Sequence, residues 1–86
     1  MITANLYTYD VWGNAEDGFD VNNVYFSSKI MFEDADLFDD EHFYWALIRL
    51  GVLAIESKVY FEWQDEETCY VNSSTDGKPL GEIRFL

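Results

Sequence analysis

The sequence predicts an α+β fold: a small antiparallel β-sheet of about four to six strands with one central α-helix packed on one face. Segments that alternate between apolar and polar residues flank a single stretch of helical periodicity, which gives the order strands, helix, strands. The 86 residues fit a single domain, 1–86. Hydrophobic residues make up 49% of the chain and aromatic residues 19%, which is enough for a core that needs no disulfide. Two layers, one of sheet and one of helix, satisfy this pattern.

The first part of the chain predicts two strands joined by a turn. The segment Leu6–Trp12 reads as the first strand. Its residues fall into two alternating sets, one for each face: Leu6, Thr8, Asp10 and Trp12, and Tyr7, Tyr9 and Val11. The stretch Gly13–Gly18 has the composition of a turn, with a glycine at each end. Strand-forming residues then run through Phe19–Phe32, and we expect Asn22 and Asn23 to interrupt them.

One helix is predicted over Asp40–Leu50. Asp36 or Asp39 can cap it by accepting hydrogen bonds from the first free N–H groups, and Gly51 suits the position just past its end. Apolar side chains recur on one face at helical spacing, at Phe43, Ala46, Leu47 and Leu50.

The rest of the chain predicts a return to sheet. The run Val52–Ile55 is compatible with the start of a strand, and Lys58–Gln64 is a clearer strand because its apolar residues alternate. Asp65–Glu67 reads as a hairpin loop and Thr68–Ser73 as the returning strand. After the turn signal Asp76-Gly77, residues Gly81–Leu86 predict a final strand.

Charge is the most unusual property of the chain. Seventeen acidic residues against five basic ones give a formal net charge of −12. Such a chain is repelled by nucleic acid and by anionic lipid, so direct binding to either is not expected, and it is attracted to basic protein surfaces. Solubility of a small domain needs a net charge of only about 2–8 in magnitude. The excess therefore suggests a binding role.

Most of the acidic residues concentrate in three connectors: Glu16/Asp17/Asp20, Glu33–Glu41 and Glu62–Glu67. If the connectors gather at one end of the sheet, they form one negative surface that can bind a partner. Tyr44 and Trp45, beside the predicted start of the helix, are candidate affinity anchors, although either can instead pack into the core. Each acidic cluster also has a purely structural interpretation. Asp39–Glu41 can stabilise the start of the helix, Glu16-Asp17 can form a turn, and Asp65–Glu67 can be a solvated hairpin tip. The acidic candidates for partner binding are Glu16, Asp17, Asp20, Glu33, Asp34, Asp36, Asp39, Asp40, Glu41, Asp65, Glu66 and Glu67.

No residue pattern predicts catalysis, a metal or a cofactor. His42 is the only histidine and Cys69 the only cysteine, and we expect the first on the surface and the second buried in a strand. Zinc ligands at the usual spacing are missing. Asp34-Ala35-Asp36 is similar to the start of a calcium loop, but Asp39 stands where that loop needs glycine. We therefore expect a protein that is not an enzyme.

The location expected from the sequence is the cytoplasm. Residues Met1–Tyr7 have no basic stretch followed by an apolar one, so no signal peptide is predicted. The longest apolar run, Phe43–Ile48, is far shorter than the ~20 residues of a membrane span. A single cysteine also fits a reducing compartment.

The chain resembles small acidic proteins that phages encode to inhibit bacterial defence, namely anti-CRISPR proteins and DNA mimics. The resemblance is one of class: a short, acidic, cysteine-poor chain with many aromatic residues. The stretch Tyr9–Asn22 is also similar to one found in phage open reading frames; it covers 14 of the 86 residues and brings no assigned activity. The resemblance implies carboxylates placed where an effector complex expects phosphates, in the cytoplasm of an infected bacterial host. These inhibitors share no motif, so no functional residue is carried over.

Two further classes of function stay open beside a non-enzymatic inhibitor that blocks nucleic-acid binding by a defence complex such as a CRISPR effector. The first is an acidic adaptor, an antitoxin or a phage regulator, which binds a host protein without competing with nucleic acid. The second is a small enzyme, which an activity dependent on His42 or Cys69 would reveal.

Overall fold

Five antiparallel strands form one sheet in the computed structural model, which describes residues 1–86. The strands lie in the order β2-β1-β5-β4-β3, and the predicted antiparallel sheet is confirmed. In chain order the elements are β1 (Ile2–Asn14), β2 (Gly18–Phe32), a 3-10 turn (Asp34–Leu37), α1 (Asp40–Arg49), β3 (Val59–Trp63), β4 (Thr68–Ser73) and β5 (Pro79–Phe85).

The predicted α+β class broadly fits, but the helix is small and does not have the central position that the sequence predicts. Strands hold 53% of the residues and helices 16%. α1 has ten residues, about three turns, so it covers only part of one face of the sheet. The fold is therefore a sheet with a short helical cover, and the other face of the sheet carries no helix at all.

Both ends of α1 are fixed by local hydrogen bonds. The carboxylate of Asp39 accepts from the backbone N–H of His42 at 2.8 Å and caps the first turn. At the other end Gly51 has a φ of 79°, which glycine adopts without steric cost. The N–H groups of Gly51 and Val52 then donate back to the carbonyls of Ile48 and Leu47, at 3.0 and 2.8 Å, and close the helix. This closure sends the chain into turns, so the strand considered for 52–55 is wrong.

The hydrophobic core lies between α1 and the face of the sheet that the helix covers. Phe43 is fully buried and is its centre, since its ring contacts aromatic rings from three strands. The other fully buried large side chains are Phe32, Leu47, Cys69 and Ile83. Phe32, Cys69 and Ile83 lie in strands, where successive side chains point to opposite faces. The residue next to each of them in the chain therefore points to the face that no helix covers, the open face.

β1 and β2 extend beyond the other strands as a two-stranded arm. Pairing of β1 with β5 runs only from Ala4 to Thr8, so residues 9–24, which we call the arm, pair only with one another. The arm gives the molecule its length of 40 Å against a width of 23 Å. The predicted interruption of β2 at Asn22 and Asn23 is wrong. Asn22 is instead the extra residue of a β-bulge opposite Asp10 and Val11, and the strand continues through it.

Candidate functional site

Two of the three acidic connectors lie together at one end of the sheet. β2 ends there and leads into α1, and the hairpin between β3 and β4 turns at the same end. A hydrogen bond of 3.1 Å from the indole N–H of Trp63 to the carboxylate of Asp40 joins the two connectors directly. We call this surface the acidic end. It consists of eight exposed acids: Glu33, Asp34, Asp39, Asp40, Glu41, Asp65, Glu66 and Glu67.

The eight acids of the acidic end outnumber the bases near it. The chain has three ion pairs, and at this end they involve only His42 and Arg49. Lys58 and Lys78 precede β3 and β5, which begin at the opposite end of the sheet, whereas the exposed Lys29 lies in β2 three residues before that strand ends. Like charges brought together in this way raise the local negative potential well above what the average over the chain implies.

Asp36, a sequence candidate for partner binding, is not available to a partner. It is buried, and its Oδ2 accepts at 2.8 Å from Arg49 and at 2.9 Å from the backbone N–H of Glu33. The guanidinium of Arg49 and that N–H hold the pKa of the Asp36 carboxyl below its ordinary value, against the opposing effect of burial. Asp36 therefore fixes α1 against the 3-10 turn.

Asp39 combines capping with an ion pair on the surface. Its Oδ1 also lies 2.7 Å from Nδ1 of His42. Hydrogen bonds from the backbone and then the ring of His42 lower the pKa of Asp39, and the Asp39 carboxylate raises the pKa of His42. His42 is therefore an exposed cation within the acidic end at mildly acidic pH.

Large aromatic side chains are exposed around the acidic end. Trp45 is 51% exposed, as a partner-binding anchor requires. Tyr44 is half-buried, and its hydroxyl donates to the carbonyls of Ile55 and Ser57 at 2.7 and 3.1 Å. Tyr44 thus holds the loop that follows α1 rather than standing free. Phe38, 78% exposed, and Trp63, 39% exposed, are further exposed aromatic side chains here that the sequence does not single out.

The third acidic connector lies at the opposite end of the sheet. Glu16, Asp17 and Asp20 are at the tip of the arm, because β1 runs away from the acidic end before the chain reverses. The side chain of Asn14 accepts from the backbone N–H groups of Glu16 and Asp17 at 3.0 and 2.8 Å. These contacts are ordinary turn chemistry. The expectation that one surface gathers all three connectors is therefore wrong for this one.

His42 and Cys69 do not form a catalytic pair. His42 is exposed on α1, whereas Cys69 is fully buried in β4. Burial raises the pKa of the Cys69 thiol to about 12, so it is not a reactive thiolate. No group of three or more His, Cys, Asp and Glu side chains is arranged to hold a metal ion.

None of the helices has the length and apolar character that crossing a membrane requires. Comparison of the chain with protein-family models, with curated proteins and with solved structures found no match.

Proposed function

We propose that this protein is a non-enzymatic inhibitor whose acidic end covers a basic, nucleic-acid-binding surface of another protein. One observation carries the proposal: eight exposed carboxylates and three exposed aromatic side chains lie together at one end of the sheet, where acids far outnumber bases. Following the class that the chain resembles, we propose a bacterial defence complex of the CRISPR type as the target, in the cytoplasm of an infected host.

The two components of the acidic end have different roles in this proposal. The carboxylates speed the encounter with a basic surface and give it orientation. Phe38, Trp45 and Trp63 supply apolar area, since aromatic side chains near the centre of an interface carry much of the binding energy. A bound acidic end leaves no room for phosphates on the same surface, so binding of the inhibitor and of nucleic acid exclude each other.

A pull-down with matched charge-reversed variants tests the proposal. The tagged protein is incubated with lysate of bacteria that contain an active CRISPR effector, at low and high salt, with and without added guide RNA or DNA. The test variant carries Glu41→Lys, Glu66→Lys and Glu67→Lys at the acidic end. The control carries Glu16→Lys, Asp17→Lys and Asp20→Lys at the tip of the arm, so both variants change the net charge by the same amount.

We expect the wild type and the arm-tip control to capture an effector subunit, and added nucleic acid to release it. We expect the acidic-end variant to lose about tenfold or more in affinity. Full binding by the acidic-end variant would overturn the proposal. Capture of a partner that nucleic acid does not displace would indicate an adaptor instead.

A further inference from the structure

The apolar face of the arm points away from the helix. In β1, Ala4 and Leu6 point into the core, but beyond them the apolar positions change sides. The change coincides with a β-bulge at Leu6/Tyr7, where β2 has an extra residue, Ser27. From there seven apolar side chains lie on the open face of the sheet, whereas Trp12 and Tyr25 lie on the other face. We call the seven the open-face patch: Tyr7, Tyr9, Val11, Phe19, Val21, Val24 and Phe26.

This arrangement is the reverse of what solvent on the open face would require. An antiparallel sheet covered on one side normally has polar residues on the other. Here Phe26 is 59% exposed, Val24 47% and Val21 43%. A two-stranded arm is also only marginally stable by itself in water. A covering layer would remove both problems.

Charge identifies the kind of molecule that can cover the open face. The strands place four charged side chains on it, two bases and two acids: Lys29, Arg84, Glu62 and Glu82. Glu82 and Arg84 form an ion pair with a distance of 2.6 Å. The open face is thus formally neutral in a chain of net charge −12. It is the one broad surface on which two copies of this chain can meet without strong repulsion.

The size of the open face also fits a second copy. Strand spacings of ~4.8 Å across and ~3.4 Å per residue give the five-stranded part roughly 24 by 20 Å and the arm roughly 20 by 10 Å more. The total of roughly 700 Å² per copy is close to the ~800 Å² per partner of a standard stable interface.

We propose that the open face is a homodimer interface, on which a second copy of this chain packs face to face through its own open-face patch. Each copy then supplies the second sheet of a sandwich, with layers ~10 Å apart. A shallow cavity of about 470 Å³ receives side chains of the partner; four of its eight lining residues are Tyr9, Val21, Val24 and Tyr70, and Glu62 and Glu82 are among the others. The acidic end lies at the ends of the strands, so the dimer leaves it exposed, and this proposal does not depend on the proposed function.

Sedimentation equilibrium with matched variants of β2 tests the dimer. Val24→Lys and Phe26→Lys place a charge on the open face. Tyr25→Lys is the control in the same strand, since Tyr25 is 53% exposed on the opposite face. All three sites are at least 47% exposed, so substitution leaves no cavity in the core. Circular dichroism confirms that each variant is folded.

We expect a dimer for the wild type and for Tyr25→Lys. We expect Val24→Lys and Phe26→Lys each to raise the dimer dissociation constant by about tenfold or more, because each replaces an apolar contact with an ammonium group that must lose its water. A monomeric wild type at about 200 μM, where even weak homodimers form, would overturn the proposal. A dimer that Tyr25→Lys weakens as much as Val24→Lys does would also overturn it, since the contact would then not be the open face.

Discussion

The phenol of Tyr9 donates a hydrogen bond of 2.9 Å to Oε1 of Glu82 and so ties the base of the arm to β5. Glu82 is only 5% exposed, and its Oε2 accepts at 2.6 Å from Arg84. We expect Tyr9→Phe to lower the free energy of unfolding by about 1 kcal/mol, because one hydrogen bond is lost while Arg84 keeps the carboxylate paired. Urea denaturation measures the difference. A loss above about 3 kcal/mol would contradict this interpretation, since it exceeds what one hydrogen bond contributes when its acceptor stays paired.

The carboxyl of Glu82 makes stability depend on pH. The hydrogen bond from Arg84, aided by that from Tyr9, holds the pKa of Glu82 below its ordinary value despite burial. A lowered pKa in the folded state gives stability that is complete above the ordinary pKa of ~4.3 and is lost as the pH falls through the folded value. We therefore expect Glu82→Gln to be less stable than the wild type at pH 7 and the gap to narrow between pH 5 and pH 3.

The paired measurement is urea denaturation of the wild type and Glu82→Gln across this pH range. Glu66→Gln in the exposed β3–β4 hairpin is the control, and its free energy of unfolding should change with pH as that of the wild type does. A gap that stays constant with pH would contradict the role given to the Glu82 carboxylate.

His42 should titrate above its ordinary pKa because of Asp39. The Asp39 carboxylate, 2.7 Å from Nδ1, raises the pKa of His42. Asp39→Asn keeps a good N-cap and removes the charge, so we expect the pKa of His42 to fall toward ~6.5. NMR titration reads this directly, since the chain has one histidine.

The linked effect on stability has a definite sign. A raised histidine pKa gives stability that is complete below the ordinary value and is lost as the pH rises through the folded value. The wild type should therefore lose the contribution of this pair above about pH 6.5, whereas Asp39→Asn should not. An unchanged titration of His42 in Asp39→Asn would contradict the ion pair.

Phe43 should be the most sensitive position of the core. It is fully buried and lies within 5.3 Å, centroid to centroid, of the rings of Phe32, Phe61 and Trp63. We expect Phe43→Leu to cost about 1–3 kcal/mol and Phe43→Ala about 3–5 kcal/mol, because the second leaves a larger cavity. Urea denaturation compares them with Phe38→Leu, a change on the surface that should cost less than about 0.5 kcal/mol.

Gly81 should tolerate no side chain. A Cβ at this position would lie far inside van der Waals contact with the carbonyl oxygen of Tyr7 on the neighbouring strand. Gly18 is the comparison: it has a φ of 91°, but nothing lies within 4 Å of its Cβ position. We expect Gly81→Ala to destabilise more than Gly18→Ala, since the first must move backbone and the second carries only torsional strain of about 1–2 kcal/mol. Thermal unfolding of the two variants tests the order.

The spacing of apolar residues and the composition of the turns were sufficient to predict most of the fold. Alternation predicted the strands, and the helical spacing from Phe43 to Leu50 with a cap at Asp36 or Asp39 predicted α1 to within one residue. Asn22 was misread because a β-bulge and a break in a strand have the same local composition. The run 52–55 was misread because backbone hydrogen bonds to Leu47, which composition does not reveal, decide its path.

The candidate site was predictable only in part, since it depends on which connectors share an end of the sheet. Strand order brings Asp40 beside Trp63 and sends Glu16 to the far end, and neither follows from the charge of a segment. Asp36 was misassigned because its partner, Arg49, lies 13 positions away. Of the two aromatic candidates only Trp45 is free, because the hydroxyl of Tyr44 donates to the backbone carbonyl of Ile55, 11 positions away.

The thiol of Cys69 can be used to measure how often the folded protein opens, because it is buried in β4. Cys69 is fully buried, and burial raises the pKa of its thiol to about 12, so the thiol is protonated and out of reach of reagents while the protein is folded. A disulfide reagent should therefore modify the chain only when β4 separates from the core, and the rate of colour release from such a reagent follows that motion. Single cysteines introduced on the surface can likewise carry a dye or a spin label while Cys69 stays in place.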